Sequence, residues 1–174
     1  MHQLFLLRHA KAEPGTGGMS DHDRQLTARG QVEAGKIAQA MRKAGLTPEV
    51  VLVSTATRTR QTLEALENAP VWDEWPNIDE LPQLYMANLP QLLGTIRDLP
   101  ETVRSALIIG HNPGLHELAL CLAGHSRADA NNMRLAEGYP TATLSEFLIT
   151  GRWRGVGQDA ASLSRLLLAQ EQLF

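Results

Sequence analysis

Only one cysteine, Cys121, occurs in the chain, so no internal disulfide can brace it. That excludes a small disulfide-framed secreted scaffold and points to a reducing compartment, with the cytoplasm as the expected location. Cys121 lies within Leu118-Ala119-Leu120-Cys121-Leu122, the setting of a buried, inert thiol and not of a nucleophile. Long apolar runs are missing as well. The stretch Leu4 to Leu7 near the start is far too short for a signal-peptide core or a membrane span. Nor is there an excess of positive charge: the formal net charge is −3 at pH 7, which gives no overall field to attract nucleic acid or an anionic membrane. Internal repeats, low-complexity tracts and linkers are absent too. What remains is an ordinary composition, 43% hydrophobic and 20% charged over 174 residues, enough for one domain spanning 1–174 with a real core.

The hydrophobic pattern alternates between strand and helix. Leu4 to Leu7, Val50 to Val53 and Ala106 to Ile109 are short continuous apolar runs, as expected of strands buried on both faces of a parallel sheet. A helix is predicted from about Thr27, with Ala34, Ile37, Ala38 and Met41 on one face and Gly45 past its end. Further helices are predicted from near Thr57, carrying Leu63 and Leu66 inward, and over Asn88 to Leu99. Asn112 followed by Pro113 reads as an N-cap with proline at the first helical position, the helix running on to Gly124. Glu13 to Asp23 reads as a mobile loop. The stretch Pro70 to Pro82, with Trp72 and Trp75, yields one short strand near Ile78. A polar loop after Gly124, a strand over Ala142 to Ile149 and a final helix marked by Leu163, Leu166 and Leu167 complete the chain. The expected fold class is α/β, a mainly parallel central sheet flanked by helices.

In such sheets, ligand-binding groups collect just past the C-terminal ends of strands. The first predicted strand ends in Arg8-His9, the second leads into Ser54-Thr55-Ala56-Thr57-Arg58, and the third ends in His111-Asn112. Taken singly, each has a plainer reading: a surface Arg-His pair, a solvated first-turn Arg, a helix-capping His. A cation at a helix N-terminus is unfavourable without an anionic partner, however. Two arginines and two histidines converging on one sheet edge make a site for a compact dianion such as phosphate.

Leu6-Leu7-Arg8-His9-Ala10 resembles the signature opening of the histidine phosphatase superfamily. Ser54 through Thr62 looks like its second motif, and Gly110-His111-Asn112-Pro113-Gly114 like its third. Leu26-Thr27-Ala28-Arg29-Gly30 is similar to the start of the family's first helix. Ser20-Asp21 and a late Trp153 resemble the short SixA-type phosphohistidine phosphatases. The resemblance implies a phosphoglycerate mutase-like three-layer sandwich, and about fifty residues between Arg58 and His111 leave no room for a large cap insertion. The family's usual Gly after the Arg-His pair is Ala10 here, which would be strained if that position needed a positive φ.

The resemblance further implies that His9 is the nucleophile, forming a phosphohistidine. Arg8 and Arg58 would clamp the equatorial oxygens, with His111 as a protonated donor and the helix start at Asn112 contributing to substrate binding. For the general acid, Glu80 and Asp21 are the candidates, with Asp23 behind them. A P–N bond needs such an acid less than an alkyl ester does. No metal or cofactor is expected: His116-Glu117-Leu118-Ala119-Leu120 lacks a zinc-protease second histidine, and no cysteine pair exists. The expected substrate is a phosphohistidine on a protein, such as a histidine phosphotransfer domain or a phosphocarrier. The alternatives are a small phosphate ester of a sugar or nucleotide, or a non-catalytic phosphate-binding module.

Overall fold

The computed structural model describes residues 1–70, 72–124 and 129–172. Strand β1 (His2–Arg8) is followed by a short 3-10 turn at Asp21–Asp23, helix α1 (Ala28–Ala44), β2 (Val50–Ser54) and α2 (Thr57–Asn68). Then come β3 (Asn77–Leu81), α3 (Leu89–Arg97), β4 (Ser105–Gly110), α4 (Gly114–Ala123), α5 (Ala130–Glu137), β5 (Thr143–Ile149) and β6 (Ala161–Leu168). The six strands form one sheet in the order β3-β2-β4-β1-β5-β6. The pairs β3–β2, β2–β4 and β4–β1 are parallel, while β5 and β6 add an antiparallel edge.

Helices cover both faces, which explains why the central strands read as unbroken apolar runs. Alternate side chains of a strand point to opposite faces. Leu4, Leu6, Leu52 and Ile108 pack with residues of α3, α4 and α5, whereas Phe5, Leu7, Val53 and Ile109 pack with α1 and α2. The ends of the helices follow their sequence signals. Thr27 Oγ1 accepts from the Gly30 backbone N–H at 2.9 Å, and Gly45 ends α1 in the left-handed conformation at φ 66°. Asn88 and Gln91 form a reciprocal capping box at the start of α3. Gly30 is required for a different reason: a Cβ there would lie 2.0 Å from the Lys11 carbonyl oxygen, so only glycine lets α1 touch the loop leaving β1.

Three sequence expectations fail, each for a local reason. Leu163, Leu166 and Leu167 belong not to a helix but to β6, paired with β5. A register shift at Glu146/Phe147 leaves Ser164 as an extra residue, with Leu163 opposite Phe147 and Arg165 opposite Glu146. That irregularity flips the strand's parity, so Leu163 and Leu166 reach the same core face and imitate helical spacing. The supposed loop after Gly124 contains α5, capped by Asp129, whose side chain accepts from Asn132 N–H at 2.9 Å. Asn112 does not cap α4, which starts at Gly114 with Pro113 in the cap position. Instead its Nδ2 donates to the Tyr139 carbonyl at 2.8 Å.

The strand expected near Ile78 is β3. Trp72 is buried against the α1–α2 face, while Trp75 meets it edge-on from the solvent side. No helix among the described residues is long and apolar enough to cross a membrane.

Candidate active site

Strands β2, β4 and β1 are neighbours and run parallel, so their C-terminal ends lie side by side. Arg8 pairs with Gly110, and Val53 with Ile109, which brings Arg8-His9, Ser54 to Arg58 and His111 to one edge. Arg8, His9, Arg58 and His111 line a cleft of about 190 Å³ together with Lys11, Asp21, Arg24 and Asn112.

His9 is 7% exposed and held from both sides. Its Nδ1–H donates to the Ala10 carbonyl at 2.7 Å, which leaves Nε2 with a lone pair. That lone pair accepts from Arg58 Nε–H at 3.3 Å. Burial depresses the His9 pKa to about 3, helped by Arg58 and Arg8 and opposed by the Ala10 carbonyl. The imidazole is therefore neutral near pH 7, the form a nucleophile needs.

Arg58 is 2% exposed and fixed along its whole fork. Besides His9, its Nη1 donates to the Asp21 carbonyl at 2.8 Å and its Nη2 to Asp21 Oδ2 at 3.1 Å. Its guanidinium carbon also stands 5.9 Å from the centre of the Tyr85 ring. Arg8 Nη1 donates to the Tyr139 carbonyl at 3.0 Å, while its buried Nε has no partner. Burial, and then Arg58, lowers the Arg8 pKa from its ordinary value.

His111 is expected to be a protonated donor with a dianion beside it, and in the ligand-free cleft its surroundings favour the neutral ring. Burial pushes its pKa down to about 3, and His9, Arg58 and Arg8 reinforce the shift. In the ligand-free cleft, burial and the cationic surroundings outweigh the weak pull of Asp21, so the ring is neutral. Its Nε2 lies 2.7 Å from Ser54 Oγ, and its buried Nδ1 has no partner.

The candidate acids separate sharply. Asp21 lines the cleft, but the Tyr85 hydroxyl, which donates to Oδ2 in a short hydrogen bond, holds the Asp21 carboxyl at about 2. Burial opposes this shift and Arg58 and Arg24 assist it, so Asp21 is ionised near pH 7 and has no proton to give. Glu80 sits on β3, paired with exposed Arg60 and off the cleft lining. Asp23 is also off the lining, where it accepts from Ser20 Oγ at 2.8 Å.

Ala10 carries no penalty, because it is not among the residues with positive φ. Its N–H donates to Thr62 Oγ1 at 3.1 Å, tying the first motif to the second. Sequence reasoning missed Tyr85 and Tyr139, which lie between predicted elements and carry no periodic signal. It also assigned no role to Lys11 and Arg24, which line the cleft and, among the described residues, make its charge four cations to one carboxylate. Among the described residues, no group of three or more His, Cys, Asp or Glu side chains could hold a metal ion.

Residues 4–87 match the histidine phosphatase superfamily (branch 1). An uncharacterized Mycobacterium tuberculosis protein is 35% identical over 161 residues, spanning 90% of this chain and 96% of the relative. A crystal structure of a candidate SixA phosphohistidine phosphatase from Agrobacterium tumefaciens is 30% identical, with TM-score 0.80 over 95% of this chain and 97% of that one. The protein histidine phosphatase SixA complexed with tungstate, at 23% identity, shares the fold with TM-score 0.75 over 97% of each chain. By sequence and by fold, the chain belongs to the histidine phosphatase superfamily, among its SixA-type members.

Proposed function

We propose that this protein is a metal-independent phosphatase that hydrolyses phosphohistidine on another protein, through a phosphohistidine intermediate on its own His9. The observation that carries the substrate class is the cleft lining: among the described residues Asp21 is its one carboxyl group, and it accepts from the Tyr85 hydroxyl and from Arg58, contacts that favour its ionised form. Among the described residues lining the cleft, no protonated carboxyl group is left to protonate an alkoxide. An imidazole leaving group is readily protonated and needs no positioned acid. The cationic lining suits a phosphoryl dianion, and the SixA relatives bear names of the same activity.

The geometry orders the steps. A substrate phosphoryl group enters among Arg8, Arg58 and His111, and its oxygens take over donors of the Arg58 fork. That frees the Nε2 lone pair of His9, which attacks phosphorus in line while the P–N bond to the substrate imidazole breaks. The departing nitrogen takes a proton from solvent. Arg8 Nε and His111 Nδ1, both buried without partners, supply donors to the charged equatorial oxygens. Water then attacks phosphorus, releasing inorganic phosphate and restoring His9. A module that only binds phosphate would need the arginines alone, not a nucleophile held in its Nδ1–H tautomer.

The test compares a phosphohistidine protein with phosphate monoesters of decreasing leaving-group acidity, in wild type and His9→Ala. The phosphohistidine protein should give the highest kcat/KM, with p-nitrophenyl phosphate intermediate and alkyl esters lower by roughly 10²–10⁴-fold, the usual contribution of a general acid. An acid-labile phosphoenzyme should be trapped in the wild type and lost with His9→Ala, and EDTA should leave the rates unchanged. A sugar or nucleotide phosphate that outperforms the protein substrate would transfer the assignment to a small-molecule phosphomonoesterase.

A further inference from the structure

Ser54 closes β2 at the edge of the cleft, with none of its surface exposed. Its hydroxyl makes two hydrogen-bond contacts. Oγ accepts from the Ala56 backbone N–H at 3.4 Å and lies 2.7 Å from His111 Nε2. A hydroxyl carries one proton, and at a fully buried position that proton needs an acceptor. If Nε2 were the donor, Ser54 would accept twice and its own O–H would be stranded. If Ser54 donates, every group in the chain from Ala56 to Nε2 is satisfied.

We propose that Ser54 is a positioning residue that donates its O–H to His111 Nε2 and so fixes the neutral imidazole in its Nδ1–H tautomer, as a ready donor to the transferring phosphoryl group. An independent observation comes from the other side of the ring. His111 is 3% exposed, and its Nδ1 is buried without a hydrogen-bond partner. As a bare lone pair it would repel an arriving oxyanion. As an N–H it is a desolvated donor that such an oxyanion satisfies. The ring has little freedom to turn away, because Tyr85 meets it edge-on at 5.4 Å and His9 lies tilted at 5.4 Å. The two histidines of the cleft are thereby matched. Both carry their proton on Nδ1, but the Ala10 carbonyl turns His9 into a lone-pair donor at Nε2, whereas Ser54 turns His111 into a proton donor at Nδ1.

This assignment rests on the phosphatase reading above, and its test separates the two. Histidine ring nitrogens labelled with ¹⁵N report the tautomer directly, without any turnover. In the wild type near pH 7, His111 should show a protonated Nδ1 and an unprotonated Nε2. In Ser54→Ala the proton should move toward Nε2, and kcat on p-nitrophenyl phosphate should fall roughly tenfold to a hundredfold with KM little changed, just short of the loss of a whole oxyanion donor. Ser54→Thr keeps the hydroxyl and should keep the wild-type tautomer. A wild-type His111 protonated on Nε2, or a tautomer that Ser54→Ala leaves unmoved, overturns the proposal whatever the variants' activity. Should the tautomer behave as assigned while no phosphate compound is turned over, it is the phosphatase reading that falls.

Discussion

Lowering the pH tests the cleft through stability, without any substrate. His9 and His111 are held neutral down to about 3 in the folded protein, against 6.5 for an unperturbed histidine. As pH falls below 6.5, the unfolded chain therefore takes up protons that the folded chain refuses, and stability must decline. Each such group costs about 1.4 kcal/mol per pH unit in that window. Two histidines over two units, from 6.5 to about 4.5, cost about 5 kcal/mol, comparable to the whole stability of a marginal domain. Asp21 acts in a lower window. Its carboxyl is depressed from 3.8 to about 2, so its contribution is lost only as pH falls through that range. The assay is urea unfolding followed by tryptophan fluorescence, since Trp72 and Trp153 are both buried. A His9→Gln, His111→Gln double variant should lose most of the pH slope between about 4.5 and 6.5, whatever its stability at pH 7. Equal slopes in wild type and variant would refute the claim that both rings are buried in neutral form.

Asp21→Asn should lower activity on all esters by a similar factor, by loosening Arg58, and should not steepen the dependence on leaving-group acidity. Glu80→Gln should leave that dependence unchanged as well, and a steeper series in either variant would identify the missing acid. Gly30→Ala places a methyl group 2.0 Å from the Lys11 carbonyl and should destabilise by about 1–3 kcal/mol or more, read as a fall in Tm.

The legible part of this fold is the part whose signals are local. Strands β1, β2 and β4 are buried on both faces and turn polar abruptly at the sheet edge, so the same feature located them and their chemistry. Caps at Thr27, Gly45 and Asn88 are equally local. By contrast, α5 buries only Leu135 and offers no apolar stripe to read. The parity slip at Ser164 made β6 look helical, and Asn112 matched an N-cap signature while its side chain served Tyr139. Within the site, the identities of Arg8, His9, Arg58 and His111 were readable, but their protonation was not. A pKa depends on burial and on neighbours that the chain delivers from far away: Tyr85 reaches Asp21 across 64 residues, and Ser54 reaches His111 across 57. Asp21 and Glu80 show the consequence most clearly. In the sequence both are candidate acids between motifs, with nothing local to tell them apart. In the fold, one faces a solvent-exposed arginine, while the other is clamped by a tyrosine, Arg24 and the buried Arg58. The contact that brings Asp21 into the cleft also strips it of the proton a general acid would need, so what qualified it by position disqualifies it by chemistry.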